Sequence, residues 1–224
     1  MQSEHQRRAY LEALGIDVWA PAGQEPVTED APEVAQSASG MDWSELRACV
    51  AECKQCPLHA SRTQAVFGVG NENADWLIVG EAPGAEEDRR GEPFVGRAGQ
   101  LLDEMLRAAG QQRERVFIAN VLKCRPPNNR DPEPSEAAAC RRYLQRQVEL
   151  IQPQIILAVG RIAAQQLLDT DTPVGRLRGE LHQFGETPLV VTYHPAYLLR
   201  SPTQKRKAWQ DLCLAMDAAA GRAA

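Results

Sequence analysis

The sequence predicts an α/β fold built on a central, mainly parallel four-stranded sheet flanked by helices. Three observations carry that expectation. Residues 76–79, 116–119, 155–159 and 189–192 form short apolar runs bounded by turn residues. Their apolar character is nearly continuous rather than alternating, as in strands buried on both faces. Helix-forming stretches separate them, and alternation of strand and helix implies parallel strands.

In chain order, residues 3–15 read as a short helix with Tyr10, Leu11 and Leu14 on one side. Residues 20–40 are rich in Pro, Ala, Gly, Ser and acids. That composition buries too little apolar surface to order itself, so a flexible linker is expected. Together these form an appendage over 1–40, and the folded domain is expected over 41–224. Within the domain, 98–109 places Leu101, Leu102, Met105 and Leu106 on one helix face. A second helix, 135–150, follows Pro134 with Ser135 as its expected cap. A third, 161–168, follows the third strand. The last, 202–220, would gather Trp209, Leu212, Cys213 and Met216 on an apolar side.

The chain has 224 residues, 43% hydrophobic and 25% charged. Those values suit a globular protein that buries a core without disulfides. No apolar run approaches the roughly 20 residues of a membrane span. Residues 1–15 lack the apolar core and small-residue site of a secretory signal, so a cytoplasmic location without a membrane partner is expected. The net charge is −5, and it falls within 1–40, where seven acidic residues accompany two basic ones. Residues 41–224 hold 23 of each sign. Basic clusters stand out there: Lys123, Arg125 and Arg130; Arg141, Arg142 and Arg146; Arg200, Lys205, Arg206 and Lys207. Such clusters suit a phosphate backbone or simply a solvated face.

The residues at the end of each strand decide where chemistry can occur. The first strand runs into Gly80-Glu81-Ala82-Pro83-Gly84, the second ends at Asn120, the third at Gly160-Arg161, and the fourth leads to His194-Pro195. In an open parallel sheet the ligand crevice lies outside the carboxyl ends of the strands. Glu81, Asn120 and His194 are therefore expected in one cleft. Each residue also has a plainer reading: Glu81 as a solvated carboxylate, His194 as a structural imidazole, and Phe94 in Pro93-Phe94-Val95-Gly96 as core. In a crevice they become a charged group, a hydrogen-bond donor to developing negative charge, and a stacking platform for a base.

Six cysteines occur, and a cytosolic setting disfavours disulfides. Cys53 and Cys56 form a C-x₂-C pair, Cys124 sits just past the second strand, and Cys140 lies in the next helix. A four-thiolate set suits zinc or an iron–sulfur cluster. Structural zinc sites more often come as two short-spaced pairs, which favours the cluster here. Cys49 is an alternative ligand, and Cys213 on an apolar face is expected in the core. No G-x-S-x-G elbow, phosphate-binding G-x-x-x-x-G-K loop or H-E-x-x-H helix is present.

Five segments together resemble the family-4 uracil-DNA glycosylases, the iron–sulfur members of their superfamily. They are Gly80-Glu81-Ala82-Pro83-Gly84, Glu86-Glu87-Asp88, Pro93-Phe94-Val95-Gly96, Ala119-Asn120-Val121-Leu122-Lys123-Cys124-Arg125-Pro126-Pro127 and Thr192-Tyr193-His194-Pro195-Ala196-Tyr197-Leu198-Leu199-Arg200. The resemblance spans about residues 53–211. It implies excision of uracil from single- or double-stranded DNA, with Glu81, Asn120 and His194 as catalytic residues. It implies a base pocket of Gly80, Ala82, Gly84, Glu87, Phe94, Asn120 and His194, with Glu87 helping to exclude the thymine methyl. Lys123, Arg125, Leu198, Leu199 and Arg200 would meet DNA, the leucines as a wedge. Cys53, Cys56, Cys124 and Cys140 would hold a 4Fe–4S cluster of structural role. A related group forms covalent adducts through a His after the Asn motif, and residues 126–132 contain none. The alternatives are a damaged-base binding protein that does not cut, or a glycosylase of broader base range. A monomer is expected, with a protein partner for residues 1–40.

Overall fold

The computed structural model describes residues 38–221. The expected helix over 3–15 and most of the expected linker lie outside the described residues. Ala38 is already buried against the core, and its carbonyl accepts the Met41 N–H. The packed unit thus starts at Ala38, three residues before the expected boundary.

Among the described residues the strands are β1 (Val69–Gly70), β2 (Trp76–Gly80), β3 (Phe117–Asn120), β4 (Ile155–Val159), β5 (Leu181–Phe184) and β6 (Thr187–Thr192). The helices are α1 (Trp43–Glu52), α2 (Ala85–Arg90), α3 (Arg97–Ala108), α4 (Pro134–Ile151), α5 (Arg161–Leu168), α6 (Val174–Leu177), α7 (Pro195–Arg200) and α8 (Lys205–Ala219). One sheet runs in the order β1-β3-β2-β4-β6-β5. Its four inner strands are parallel and are the four that the sequence predicts. The sheet has six strands rather than four, because antiparallel β1 and β5 cap its edges. Among the inner strands the chain starts at β2, moves out to β3, then crosses back to β4 and β6. A doubly wound order of this kind opens its crevice at the carboxyl ends of the inner strands.

Alternate residues of each inner strand feed opposite cores. Leu77 and Val79 of β2 pack with Tyr143 and Leu144 of α4, while Trp76 and Ile78 pack with Leu102 and Leu106 of α3 and Leu212 of α8. This two-sided burial explains the unbroken apolar runs. Helix starts follow local chemistry. At α1, Asp42 Oδ1 accepts the Glu45 N–H and Glu45 Oε2 accepts the Asp42 N–H, both at 2.9 Å. At α4 the cap is Glu133 rather than the expected Ser135, since Pro134 takes the first helical position, where no N–H is required.

The expected C-terminal helix divides into a turn at Pro202–Gln204 and then α8. Its buried stripe is Ala208, Asp211, Leu212 and Ala215, rotated from the expected one, and Trp209 is 43% exposed. Cys213 is half-buried rather than in the core. The rotation brings Asp211 inward to a partner set. Arg178 Nε and a terminal guanidinium nitrogen donate to its two oxygens at 3.1 and 2.6 Å, and Thr192 Oγ1 donates at 2.8 Å. This network anchors the end of β6, two residues before His194. Asp211→Ala leaves a largely buried guanidinium without its carboxylate. It is expected to cost about 3 kcal/mol of unfolding free energy, read as a lowered urea midpoint at unchanged m-value.

Candidate active-site cleft and thiol corner

The carboxyl ends of β2, β3 and β6 open on a cleft of about 470 Å³ whose walls include Glu81, Glu87, Phe94, Asn120, His194 and Arg200. Ala82 and Gly84 line it as well. Gly80 lies beneath. A Cβ there would come within 2.4 Å of Asn120 Oδ1 and 2.6 Å of Phe94 Cζ. Only glycine lets the amide and the ring approach this strand end together. Gly80 pairs with Asn120 in the β2–β3 ladder, and the Val121 and Leu122 N–H groups extend it to the Gly80 and Glu81 carbonyls at 2.9 and 3.0 Å.

Asn120 is 2% exposed, and its Oδ1 is buried without a hydrogen-bond partner. An orphaned amide oxygen costs about 1–3 kcal/mol. Because Asn120 lines the cleft, a ligand N–H there would satisfy it. Phe94 has a φ of +54°, in the left-handed region. Two features hold its loop in place. Glu87 Oε1 accepts the Val95 and Gly96 N–H groups at 3.0 and 3.3 Å, while its Oε2 accepts the Gly84 N–H at 3.1 Å. Gly99 admits the Phe94 carbonyl, which a Cβ would meet at 1.7 Å. The Phe94 ring stacks on the His194 imidazole with centroids 5.6 Å apart.

His194 Nδ1 accepts the Ala196 N–H at 3.1 Å. A backbone N–H can only donate, so the neutral ring carries its proton on Nε2. Burial lowers the His194 pKa to about 4, with Arg200 adding and Glu87 opposing. At neutral pH the ring is an uncharged donor. Glu81 is raised by burial, further by Asp131, and lowered by Arg161. Arg161 and Asp131 form an ion pair at 2.5 Å. The cleft thus offers an unpaired acceptor, a neutral donor, an aromatic face and a carboxylate of raised basicity.

Two residues expected on DNA are instead buried. Lys123 is 1% exposed. Its Nζ donates to the Asn120 carbonyl at 2.9 Å and to Gln147 Oε1 at 2.7 Å. Leu198 is also 1% exposed and packs in the core, whereas Leu199, the next residue around the helix, is 37% exposed. Consecutive helical residues point about 100° apart, so turning Leu198 into the core leaves Leu199 at the surface. Arg200 is exposed on the cleft wall, and Arg125 is half-buried with its Nε donating to Asn129 Oδ1 at 2.7 Å. Gln147 is a residue that the sequence reading missed, since a glutamine inside an amphipathic helix carries no motif.

Cys53, Cys56, Cys124 and Cys140 pack against the same core, and their thiols are close enough to act on one another electrostatically. Burial pushes Cys140 up to about 12 and raises Cys56 and Cys124. An Arg62 guanidinium nitrogen donates to Cys124 Sγ at 2.9 Å, and the Lys123 N–H donates to Cys140 Sγ at 3.3 Å. Among the described residues no three His, Cys, Asp or Glu side chains form a group able to hold a single metal ion. A multi-iron cluster is held by four thiolates rather than by a mixed ligand set. An all-sulfur set with donors turned toward sulfur fits such a group. Cys49 Sγ lies 3.7 Å from the Tyr143 hydroxyl, which Cys53 also faces.

Among the described residues, no helix is long and apolar enough to cross a membrane. The family model described as "Uracil DNA glycosylase superfamily" matches residues 67–213. The "Type-4 uracil-DNA glycosylase" of Archaeoglobus fulgidus is 48% identical over 170 residues, covering 72% of this chain and 85% of that protein. The same-named protein of Thermotoga maritima is 48% identical over 154 residues, covering 68% and 80%. That of Pyrobaculum aerophilum is 43% identical over 182 residues, covering 78% and 93%.

His194 is expected to hold the Nε2–H tautomer at neutral pH and to titrate near 4 when folded, against 6.5 when unfolded. Between those values the unfolded chain takes up a proton that the folded chain refuses. The residue therefore removes stability as pH falls through that window, and the loss levels off below it. Nitrogen-15 imidazole spectra would read tautomer and titration together.

Proposed function

The chain belongs to the uracil DNA glycosylase superfamily, and we propose that it excises uracil from DNA by hydrolysing the bond between uracil N1 and deoxyribose C1′. Its type-4 relatives are named for that glycosylase activity. The observation that carries the reading is an unpartnered Asn120 Oδ1 in the same cleft as a neutral His194. Uracil presents an N3–H donor beside its O4 acceptor. Asn120 answers both, Oδ1 accepting from N3–H and its NH₂ donating to O4. Cytosine reverses that order, so an amide held one way round rejects it. The base must leave the helical stack first, and Phe94 then covers its face.

Cleavage leaves negative charge on uracil and an oxocarbenium-like sugar. His194 donates its Nε2–H to O2, where that charge gathers, from a ring already oriented by Ala196. Glu81 holds the attacking water; its raised basicity suits proton acceptance, and its charge supports the sugar cation. Glu87, which lines the cleft and ties the Gly84 and Val95–Gly96 loops, helps to exclude the thymine methyl. Leu199, rather than Leu198, enters the stack beside the departed base, and Arg200 with Arg125 meets phosphate. The DNA is single- or double-stranded, and the protein acts as a monomer.

Cys53, Cys56, Cys124 and Cys140 would hold a 4Fe–4S cluster, which would tie the segment after α1 to the loop after β3 as a structural group. Iron analysis of anaerobically purified protein is expected to give about four iron atoms per chain. Stoichiometric zinc instead would overturn this assignment.

The decisive assay is single-turnover release of uracil from an oligonucleotide, with alkaline scission at the abasic site. His194→Ala is expected to slow cleavage about 10²- to 10³-fold with little change in DNA affinity; an effect on affinity alone would refute the leaving-group role. Asn120→Asp is expected to impair uracil excision, and undiminished turnover would defeat the base-reading role.

A further inference from the structure

Lys123 has almost no exposed surface and no part in the cleavage steps, yet it lies three residues from the amide that reads the base. A buried ammonium is tolerated only when its hydrogen bonds are made. Every polar group of Lys123 is engaged. Nζ donates to the Asn120 carbonyl and to Gln147 Oε1, and Gln147 is itself fixed by Nε2 donating to the Phe67 carbonyl at 3.0 Å. The Lys123 N–H turns to Cys140 Sγ, and its carbonyl accepts the Val66 N–H at 2.7 Å.

We propose that Lys123 is a positioning residue for base reading: its ammonium, backed by Gln147, fixes the Asn120 peptide and so fixes where the Asn120 amide stands in the cleft. This rests on the base-reading role of Asn120. A displacement of about 1 Å from productive geometry can cost about 10²-fold in rate, so the peptide that carries the amide must not shift. The Val121 and Leu122 N–H groups hold this segment toward β2, while Lys123 and Gln147 hold the Asn120 carbonyl toward α4. Held on both sides, the Cα–Cβ bond of Asn120 leaves the backbone in one direction. The segment Val121–Cys124 thus links the thiol corner to the base-reading amide.

The test is a double-mutant cycle in single-turnover uracil excision with wild type, K123M, N120A and K123M/N120A. Methionine keeps a long, buried side chain and removes the charge and donors. K123M alone is expected to lower the rate about 10- to 100-fold with DNA affinity little changed. In the N120A background it is expected to add no further loss, because its effect runs through a side chain already removed. A purely structural role predicts the same fold loss in both backgrounds, and that result overturns the proposal, as does an unimpaired K123M. If K123M does not fold, Q147M withdraws the support of the ammonium from outside the cysteine loop. It is expected to show the same non-additivity with N120A, and an additive loss overturns the proposal. A wild-type protein that leaves uracil in DNA would instead defeat the functional reading, an outcome separate from all of these.

Discussion

Gly80 lies opposite Asn120 in the β2–β3 ladder, and the cleft depends on that register. A slip of one residue turns every side chain of a strand to the other face, which would take the Asn120 amide out of the pocket. Polarity along Trp76–Val79 and Phe117–Ala119 cannot prevent the slip, because these residues are apolar on both faces. The register is pinned at the strand ends. The ladder continues into the Val121 and Leu122 N–H groups, and the bare Cα of Gly80 accepts both the amide and the Phe94 ring. The strongest local constraint thus sits where the chemistry is, and the apolar interior follows it.

Desolvation is the common cause of the electrostatic state of the cleft, with opposite consequences for its two titrating groups. It holds His194 uncharged and makes the Glu81 carboxylate more basic. A neutral donor suits a leaving group that becomes an anion, since no proton has to be placed on it. A more basic carboxylate suits water activation on the sugar side. The same low-dielectric setting strengthens both interactions.

The inner strands are legible in the sequence because burial on both faces leaves uninterrupted apolar runs. The edge strands are not. Val69–Gly70 is two residues long, and Leu181–Phe184 alternates exposed and half-buried positions as an edge does. Placing Glu81, Asn120 and His194 around one cleft needs only strand order and the carboxyl-end rule, so topology carries it without any motif. Lys123 is illegible for a different reason. A lysine beside Arg125 and a pair of prolines looks solvated, and its acceptor Gln147 lies 24 residues away. Leu198 and Leu199 cannot be told apart because a six-residue helix is too short to display a period.

The left-handed backbone at Phe94 sets thermodynamic robustness against recognition. A non-glycine residue held there carries about 1–2 kcal/mol of strain, so glycine or asparagine at this position would relax the loop and lose the aromatic face. Selection for thermal endurance alone would erode that face, and any engineering toward a hardier protein should leave the position untouched and seek its gains elsewhere.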